Sequence, residues 1–290
     1  MSPLVPSPPS ETPRSVEVAS PDGRRSPVVF ASPHSGSAYP AAFLEQSALP
    51  RAVLRRSEDA HIDVLFDAVP ALGAPLVRAL FPRSYVDPNR AEYELDPVLL
   101  GPRVHAISGQ VSQRASAGLG VIPRLAGEGC AIYHGTLPLE EAFARLASCY
   151  RPYHVALAAE LAEARALFGQ SILIDCHSMP AASARGAEIV LGDRFGSSCA
   201  PDLTERAERI FRSLGFKVVR NRPYAGGFAT EHYGRPHEGC HALQIEISRA
   251  LYMDEHSLEP HDGFAPLKAR LEKFVSALLD SCSAQSLAAE

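Results

Sequence analysis

Apolar residues recur along the chain in two spacings that predict strands and helices in alternation. Short apolar runs typical of buried strands cover residues 28–31, 75–80, 171–175, 188–192, 216–219 and 242–247. Apolar positions at helical spacing predict helices over residues 57–73, 138–168, 201–214 and 265–279. We expect Pro152 to kink or split the second of these helices. Residues 98–135 are rich in glycine, and this composition predicts irregular or hairpin-like structure.

This alternation of strands and helices predicts an α/β fold. The expected architecture is a central mixed, mainly parallel sheet with helices on both faces. Residues 1–26 are rich in Pro, Ser and Thr, and we expect them to form a flexible N-terminal tail or an arm packed on the sheet edge. Residues 27–290 are then predicted to form a single α/β domain.

Composition and charge narrow the range of partners. The net charge of −5 and the lack of a Lys/Arg block argue against a nucleic-acid partner, whereas local arginines can still bind a small anion. The apolar runs are much shorter than the roughly 18 residues that would predict a membrane span. The N-terminus shows no secretory pattern, and the 6 cysteines are scattered without a CxxC pair. We therefore expect a cytoplasmic protein with reduced thiols.

Two histidines and two carboxylates stand where a sheet of this kind binds ligands, at the carboxyl ends of its strands. His34 and His177 follow predicted strands, Glu246 lies in another, and Asp59 falls in the first turn of a predicted helix. Two histidines and one carboxylate with an open fourth position are typical of catalytic zinc. A second carboxylate can transfer the proton during hydrolysis. The pattern indicates a metal-dependent hydrolase.

Each of these residues also has a structural interpretation. Histidines in loops are usually structural, and acidic residues in a first helical turn usually complement the helix dipole. Glu246 could face outward from an edge strand, although a carboxylate among apolar neighbours is costly to bury unless it is paired. A serine hydrolase using Ser35 or Ser178 is a further alternative, but the chain has no GxSxG motif. The chain also lacks HExxH, the helix-borne zinc motif.

Arginines form a second group of candidate residues. Arg83, Asn89, Arg90 and Arg249 stand close to the predicted site segments, and the planar guanidinium group binds carboxylates through paired hydrogen bonds. Solvated loop charges are the alternative for each arginine, and neighbouring acids could neutralise Arg90.

Five segments of the chain resemble the N-formylglutamate amidohydrolase family. They are PHSG at 33–36, FPRSYVDPNR at 81–90, DCHS at 175–178, NRPYAGG at 221–227 and LQIEISR at 243–249. The resemblance spans about residues 28–255, and the motifs occur in the family's order. The family is similar to the zinc carboxypeptidase and aspartoacylase superfamily, so the resemblance implies a carboxypeptidase-like fold with a central mixed sheet and one zinc ion per chain.

The resemblance also implies roles for individual residues. The superfamily order of ligands and catalytic groups is met here by His34, Asp59, the pair Asn89-Arg90, His177 and Glu246. One departure concerns the acidic ligand, which carboxypeptidase-like sites place three residues after the first histidine. That position is Ser37 here, so the ligand has to come from further along the chain. Asp59 is the expected ligand, and Glu58 and Asp63 stay open as alternatives.

The implied reaction is hydrolysis of N-formyl-L-glutamate to formate and L-glutamate. Glu246 would take a proton from the attacking water and pass it to the leaving nitrogen, and Arg83 or Arg90 would stabilise the oxyanion. Asn89 and Arg90 would bind one substrate carboxylate, and Arg222 or Arg249 the other. The resemblance further implies a role in the last step of histidine breakdown.

Several alternatives to this reaction stay open. Another N-acyl amino acid or small amide could be the substrate, and another divalent metal could replace zinc. A ligand-binding protein without catalysis is the alternative from a different class, although Glu246 and the whole set of candidate ligands argue against it. The oligomeric state is not assigned.

Overall fold

The computed structural model describes residues 14–109, 111–126 and 129–287. Its strands are β1 (Val16–Ala19), β2 (Val28–Ser32), β3 (Leu76–Ala79), β4 (Leu125–Ala126), β5 (Cys130–Ala131), β6 (Ser171–Met179), β7 (Ile189–Gly192), β8 (Val218–Arg220) and β9 (Cys240–Ser248). Its α-helices are α1 (Ala41–Gln46), α2 (Arg51–Leu54), α3 (Ile62–Leu65), α4 (Pro97–Leu100), α5 (His105–Ser108), α6 (Gln113–Ser116), α7 (Leu139–Arg145), α8 (Arg151–Phe168), α9 (Ala181–Ala184), α10 (Pro201–Ser213), α11 (Phe228–Tyr233) and α12 (Phe264–Leu287).

Seven of the strands form one sheet in the order β1-β3-β2-β6-β9-β7-β8. Strand β1 is antiparallel to β3, and β7 is antiparallel to β9. The other neighbours in this sheet run parallel. The predicted α/β fold with a mixed, mainly parallel sheet is therefore confirmed.

The strand period of two divides the core between the two faces of the sheet. Ile245 and Ile247 of β9 point to the face covered by α10 and α12. Ala242 of β9 and Leu173 of β6 point to the opposite face, where α8 packs. The polar residues Gln244 and Glu246 continue the Ala242 side, towards the carboxyl end of the strand.

The prediction of one continuous helix from Ser57 to Gly73 is wrong. Glu58 is extended, with ψ of 149°, and His61 is left-handed, with φ of 67°, so the helix α3 starts only after them. The Ser57 hydroxyl donates to the Leu54 carbonyl oxygen at 2.6 Å, whereas the predicted cap would have accepted a bond from the following turn. The backbone N–H of Asp59 donates to the His34 carbonyl oxygen at 3.0 Å. This tie to the first histidine loop keeps residues 58–61 out of a helix.

The long helical segment after Pro138 is split, as predicted. Helices α7 and α8 are separated by a π-helical turn over residues 146–150, directly before Pro152 in the first turn of α8. Proline has no N–H to donate there, and the wider turn accommodates that gap in the hydrogen-bond ladder. Gly169, with φ of 72°, ends α8. The region of residues 98–135 was predicted to be irregular or hairpin-like. It contains the short helices α4, α5 and α6, and the small β4–β5 hairpin.

The first 13 residues of the predicted N-terminal tail lie outside the described part of the chain. Within the same stretch, β1 pairs with β3 in the register Val16↔Ala79, and the Glu17 carboxylate accepts a 2.6 Å bond from Arg78. Residues 16–19 therefore form the edge strand of the main sheet. Among the described helices, we find none with the length and apolar character that crossing a bilayer requires.

Candidate active site

Three parallel strands bring the candidate residues to one edge of the sheet. His34 follows β2, and β2, β6 and β9 run side by side. The sequence placed His177 after a strand, but β6 continues to Met179 because it pairs with β9 along nine residues. His177 is thus within β6, directly opposite Glu246 of β9. This register puts an imidazole and a carboxylate on neighbouring strands.

Three buried side chains converge at this edge. Asp59 Oδ2 lies 3.3 Å from Nδ1 of His34 and 3.0 Å from Nδ1 of His177. One ligand atom from each of the three residues falls within 4.8 Å of the others. We refer to His34, Asp59 and His177 as the His-Asp-His cluster.

The second nitrogen of each imidazole ring is bound to a further buried carboxylate. Nε2 of His34 lies 2.7 Å from Asp87 Oδ1, and Nε2 of His177 lies 2.9 Å from Asp175 Oδ2. These carboxylates can each accept from an Nε2–H group, which would leave the Nδ1 lone pair of each ring, on the Asp59 side, for a metal ion. Neither Asp87 nor Asp175 was predicted from the sequence to have such a role. The strand period was the available signal for Asp175, because it lies on the same strand face as His177.

The donor set fits a divalent metal ion. Within the described ranges, Nδ1 of His34 is buried and has no hydrogen-bond partner, although Asp59 Oδ2 is close. Ligands at about 2.0–2.1 Å from a tetrahedral zinc lie roughly 3.3 Å apart, similar to the distances from Asp59 Oδ2 to the two Nδ1 atoms. The other oxygen of Asp59 accepts bonds from Ser178 Oγ at 3.0 Å and Arg249 Nη2 at 3.1 Å, so Oδ2 is left for the ion.

The charges also suit metal binding. Burial by itself raises the pKa of Asp59, but the neighbouring His177 and His34 rings outweigh burial and hold this pKa well below its ordinary value. Asp59 is therefore a carboxylate, the form that binds metal ions.

The two other candidate acids contact different partners. Glu58 accepts bonds from Tyr39 Oη at 2.7 Å and from Arg55 Nε at 3.2 Å. The Asp63 carboxylate lies 3.9 Å from the Arg78 guanidinium. Of the three acids, Asp59 is the one that reaches both histidines.

Glu246 is buried beside the cluster and lines the cavity. Its Oε1 accepts a 2.7 Å bond from Gln244 Nε2. Burial raises the pKa of Glu246 to about 8, with His177 lowering it and the carboxylate of Asp59 raising it. A carboxyl group with a pKa near neutrality can both take up and release a proton.

A cavity of about 860 Å³ opens over the cluster and contains several arginines. Arg83 Nη2 donates to Asp87 Oδ2 at 2.8 Å. Arg90 donates to the carbonyl oxygens of Leu119 and Asn89 at 2.9 and 2.8 Å. The Asn89 side chain also lines the cavity, and its Oδ1 accepts from the Ala229 N–H at 2.8 Å.

The two arginines predicted for the second substrate carboxylate differ in position. Arg249 lines the cavity, but its guanidinium donates to Ser178, to the Glu58 carbonyl oxygen and to Asp59. Arg222 is exposed and is absent from the cavity wall, which its neighbours from Pro223 onward do reach. Arg56, Arg114 and Arg194 also line the cavity. Sequence reasoning missed these three because they stand in separate segments with no shared spacing.

Neither candidate serine has the contacts of a hydrolytic nucleophile. Ser35 Oγ pairs with Ser32 Oγ at 2.7 Å, and Ser178 Oγ contacts Asp59 and Arg249. In the part of the chain that the structure describes, neither hydroxyl bonds to a histidine ring, so the general base that a serine nucleophile needs is missing.

Comparisons with known proteins agree with this geometry. The family model for N-formylglutamate amidohydrolase matches residues 26–253. The N-formylglutamate deformylase of Pseudomonas aeruginosa PAO1 is 31% identical over 265 residues, covering 89% of this chain and 92% of the relative. The enzyme of the same name from Pseudomonas putida is 30% identical over 267 residues, covering 88% and 93% respectively.

Solved structures resemble the whole fold. The crystal structure of N-formylglutamate amidohydrolase from Ralstonia eutropha JMP134 superposes with a TM-score of 0.85 at 36% identity, covering 92% of this chain and 98% of that one. A protein from Agrobacterium tumefaciens shares the fold, with a TM-score of 0.68 at 20% identity and coverages of 93% and 95%. With the family model matching most of its length, the chain belongs to the N-formylglutamate amidohydrolase family.

Proposed function

We propose that this protein is a zinc-dependent amidohydrolase that cleaves N-formyl-L-glutamate to formate and L-glutamate. The observation that carries the proposal is the convergence of both histidine Nδ1 atoms on one oxygen of Asp59, next to Glu246. The names of the 31% and 30% identical relatives supply the substrate. On this basis the protein would act in histidine breakdown, in the cytoplasm.

The His-Asp-His cluster would hold the metal ion, with zinc the best match to two imidazoles and one carboxylate. A bound zinc ion supplies Lewis acidity, which makes water easier to deprotonate and polarises an amide carbonyl. Asp87 and Asp175 accept hydrogen bonds from the Nε2–H groups of His34 and His177 and so fix the orientation of the two rings. Arg249 holds Asp59 from the opposite side, and we assign it this orienting role.

Glu246 would carry the proton through the reaction. It takes a proton from the attacking water and delivers it to the amide nitrogen as the C–N bond breaks. Its buried position opposite His177 keeps it within the reacting region, and the bond from Gln244 orients its carboxylate.

Arg83 is the best placed of the cavity arginines to stabilise the oxyanion. Its Nη2 donates to Asp87 Oδ2 at 2.8 Å, and Arg83 lines the cavity together with Asp59 and Glu246. A positive charge held in place before the reaction stabilises the negative charge that develops on the carbonyl oxygen. Asn89 and Arg90, on the same loop, would bind the α-carboxylate of the substrate.

A second candidate is a related deacylase acting on another N-acyl amino acid. The size of the cavity supports this alternative function, because about 860 Å³ is in the range that accommodates drug-sized ligands. An acyl group larger than formyl would therefore find room.

The test is formate release from N-formyl-L-glutamate by the purified protein as isolated, after metal stripping, and after addition of zinc. We expect activity to disappear on stripping and to return with zinc. N-acetyl-L-glutamate, assayed in parallel through release of glutamate, distinguishes the deacylase alternative. Release of neither product by protein that contains stoichiometric metal would contradict the proposed substrate, and a protein that binds no metal would contradict the proposed chemistry.

A further inference from the structure

Arg194 stands in the cavity wall on a turn with an unusual backbone. Arg194 and Phe195 have φ angles of 51° and 57°, and Gly196 follows with 84°. The left-handed region is unfavourable for residues that carry a Cβ, so two in succession persist only where surrounding contacts hold them. Such strain is a common feature of functional sites.

A partly buried polar network holds this turn. Asn221 Oδ1 accepts from the N–H groups of Asp193 and Phe195 at 3.1 and 3.3 Å, and Asn221 Nδ2 donates to Asp193 Oδ1 at 2.7 Å. The N–H of Gly196 donates to the same Asp193 oxygen at 3.1 Å. The Arg194 N–H donates to the Ala225 carbonyl oxygen at 2.7 Å, which ties the turn to the adjacent loop.

The neighbouring loop leaves room for the Arg194 side chain. Gly226 has φ of 128°, and a Cβ atom added there would lie 2.4 Å from Thr230 Oγ1 and 2.9 Å from Arg194 Cγ, closer than such contacts allow. A residue larger than glycine at this position would push the arginine stem aside. Backbone, network and loop together hold Arg194 in the cavity wall.

The guanidinium group of Arg194 has a weak partner. Its Nη2 lies 3.2 Å from Glu231 Oε2, and the two side chains are 31% and 61% exposed. Exposed ion pairs contribute little, so a ligand carboxylate can compete with Glu231. Arg249, in contrast, donates to Ser178, to the Glu58 carbonyl oxygen and to Asp59. Among the described contacts, Arg194 makes none to the His-Asp-His cluster, so its charge is separate from the reacting centre.

We propose that Arg194 binds the side-chain carboxylate of the substrate and thereby selects acidic over neutral N-acyl amino acids. This inference rests on the proposed function. The α-carboxylate is attached to the carbon that bears the reacting nitrogen, so it lies near the metal site, close to Asn89 and Arg90. The γ-carboxylate is several bonds further away, which matches a cation in the wall apart from the cluster.

The test compares kcat/KM for N-formyl-L-glutamate and N-formyl-L-glutamine in the wild type and in Arg194→Gln. Glutamine is nearly isosteric with glutamate and lacks the charge. We expect the preference for glutamate to fall by ~10- to 100-fold in the variant, mainly through KM, because a charged hydrogen-bonded pair is lost. Glu231→Gln is the matched control, and it should keep or increase the preference since it removes the competing carboxylate.

A preference unchanged within about twofold in Arg194→Gln would overturn the inference, since a lost charged pair changes affinity by tenfold or more. If Arg194→Gln does not fold, Arg194→Lys replaces it, with a smaller expected drop because the charge stays but the planar fork is lost. If the wild type hydrolyses neither compound, the proposed function fails and calorimetric binding of L-glutamate and L-glutamine decides instead. A glutamate preference that Arg194→Gln lowers supports the inference, and any other binding result overturns it.

Discussion

At the scale of single residues, each site histidine has one ring nitrogen bound to a buried carboxylate and the other directed at Asp59. The bonds to Asp87 and Asp175 are 2.7 and 2.9 Å long, and neither carboxylate is exposed. A neutral imidazole has one N–H and one lone pair, so the outer carboxylate decides which nitrogen can bind a metal ion. The affinity of the proposed metal site would therefore depend on residues that do not touch the ion.

Replacing Asp175 with Asn should weaken metal binding by about 10- to 100-fold, because the neutral amide orients His177 less strongly and lowers its basicity. Competition with a chromogenic chelator measures this affinity. Asp96→Asn is the matched control, since Asp96 is equally buried but bonds to Arg124 and the start of α4. Equal zinc affinities in the two variants would show that Asp175 does not tune the site.

Replacing Glu246 with Gln should keep the bound metal and lower kcat by roughly 10²- to 10⁴-fold, the usual contribution of general acid–base catalysis. Gln has nearly the same shape, but it cannot take the proton from water. Formate release measures turnover, and elemental analysis of the purified variant measures bound zinc. A fully active variant would rule out Glu246 as the base.

At the scale of elements, helices α8 and α11 support the loop that carries Asn89 and Arg90. His154 of α8 donates from Nε2 to the Pro88 carbonyl oxygen at 3.0 Å and accepts at Nδ1 from Tyr233 Oη of α11 at 2.8 Å. Tyr150, just before α8, donates to the Arg90 carbonyl oxygen at 2.9 Å. The cavity loop is therefore held from behind by a neutral histidine.

This arrangement predicts a pH dependence of stability. Burial lowers the pKa of His154 to about 4, whereas an unfolded histidine titrates at about 6.5. As the pH falls from about 6.5 to about 4, His154 becomes protonated in the unfolded chain but stays neutral in the folded protein. The free energy of unfolding therefore decreases. The wild type should lose up to about 3 kcal/mol more than His154→Gln between pH 7 and 4.

Urea unfolding across this pH range measures the difference. His237→Gln serves as the control, because the His237 side chain is 78% exposed, and its pH dependence should match that of the wild type. Parallel pH profiles for the wild type and His154→Gln would contradict a neutral, buried His154.

At the scale of the whole molecule, the proposed metal ligands come from the β2 loop, the segment before α3 and strand β6. An ion bound by all three would connect distant parts of the chain in the folded state alone, and folding and metal binding are then thermodynamically coupled.

Zinc should therefore raise the unfolding temperature of the metal-free protein. At a free zinc concentration 100 times Kd the stabilisation is about 2.7 kcal/mol, which corresponds to roughly 4–5 °C for a protein of this size. Scanning calorimetry with zinc and with chelator measures the shift. His177→Ala should show a much smaller shift, and an equal shift in this variant would place the stabilising zinc elsewhere.

Much of the fold and the family was predictable because local patterns carry them. Apolar runs such as residues 171–175 identify buried strands, since a strand buried on both faces has to be apolar along its length. Pro152 marked the split in its helix because proline cannot donate the missing bond. The motif order was enough to identify the family, which the comparisons confirm.

Only the tertiary structure decided which side chains meet. From the sequence Asp59 was the expected ligand and Glu58 and Asp63 stayed open. The bond from the Asp59 N–H to the His34 loop broke the predicted helix and brought Asp59 to the histidines. Strand register paired His177 with Glu246. Local periodicity reports burial, whereas the path of loops and the register of strands determine contacts between segments far apart in the chain. The sequence by itself therefore determined most of the strands and helices and which side chains are available for catalysis. The packing determined which of these side chains meet.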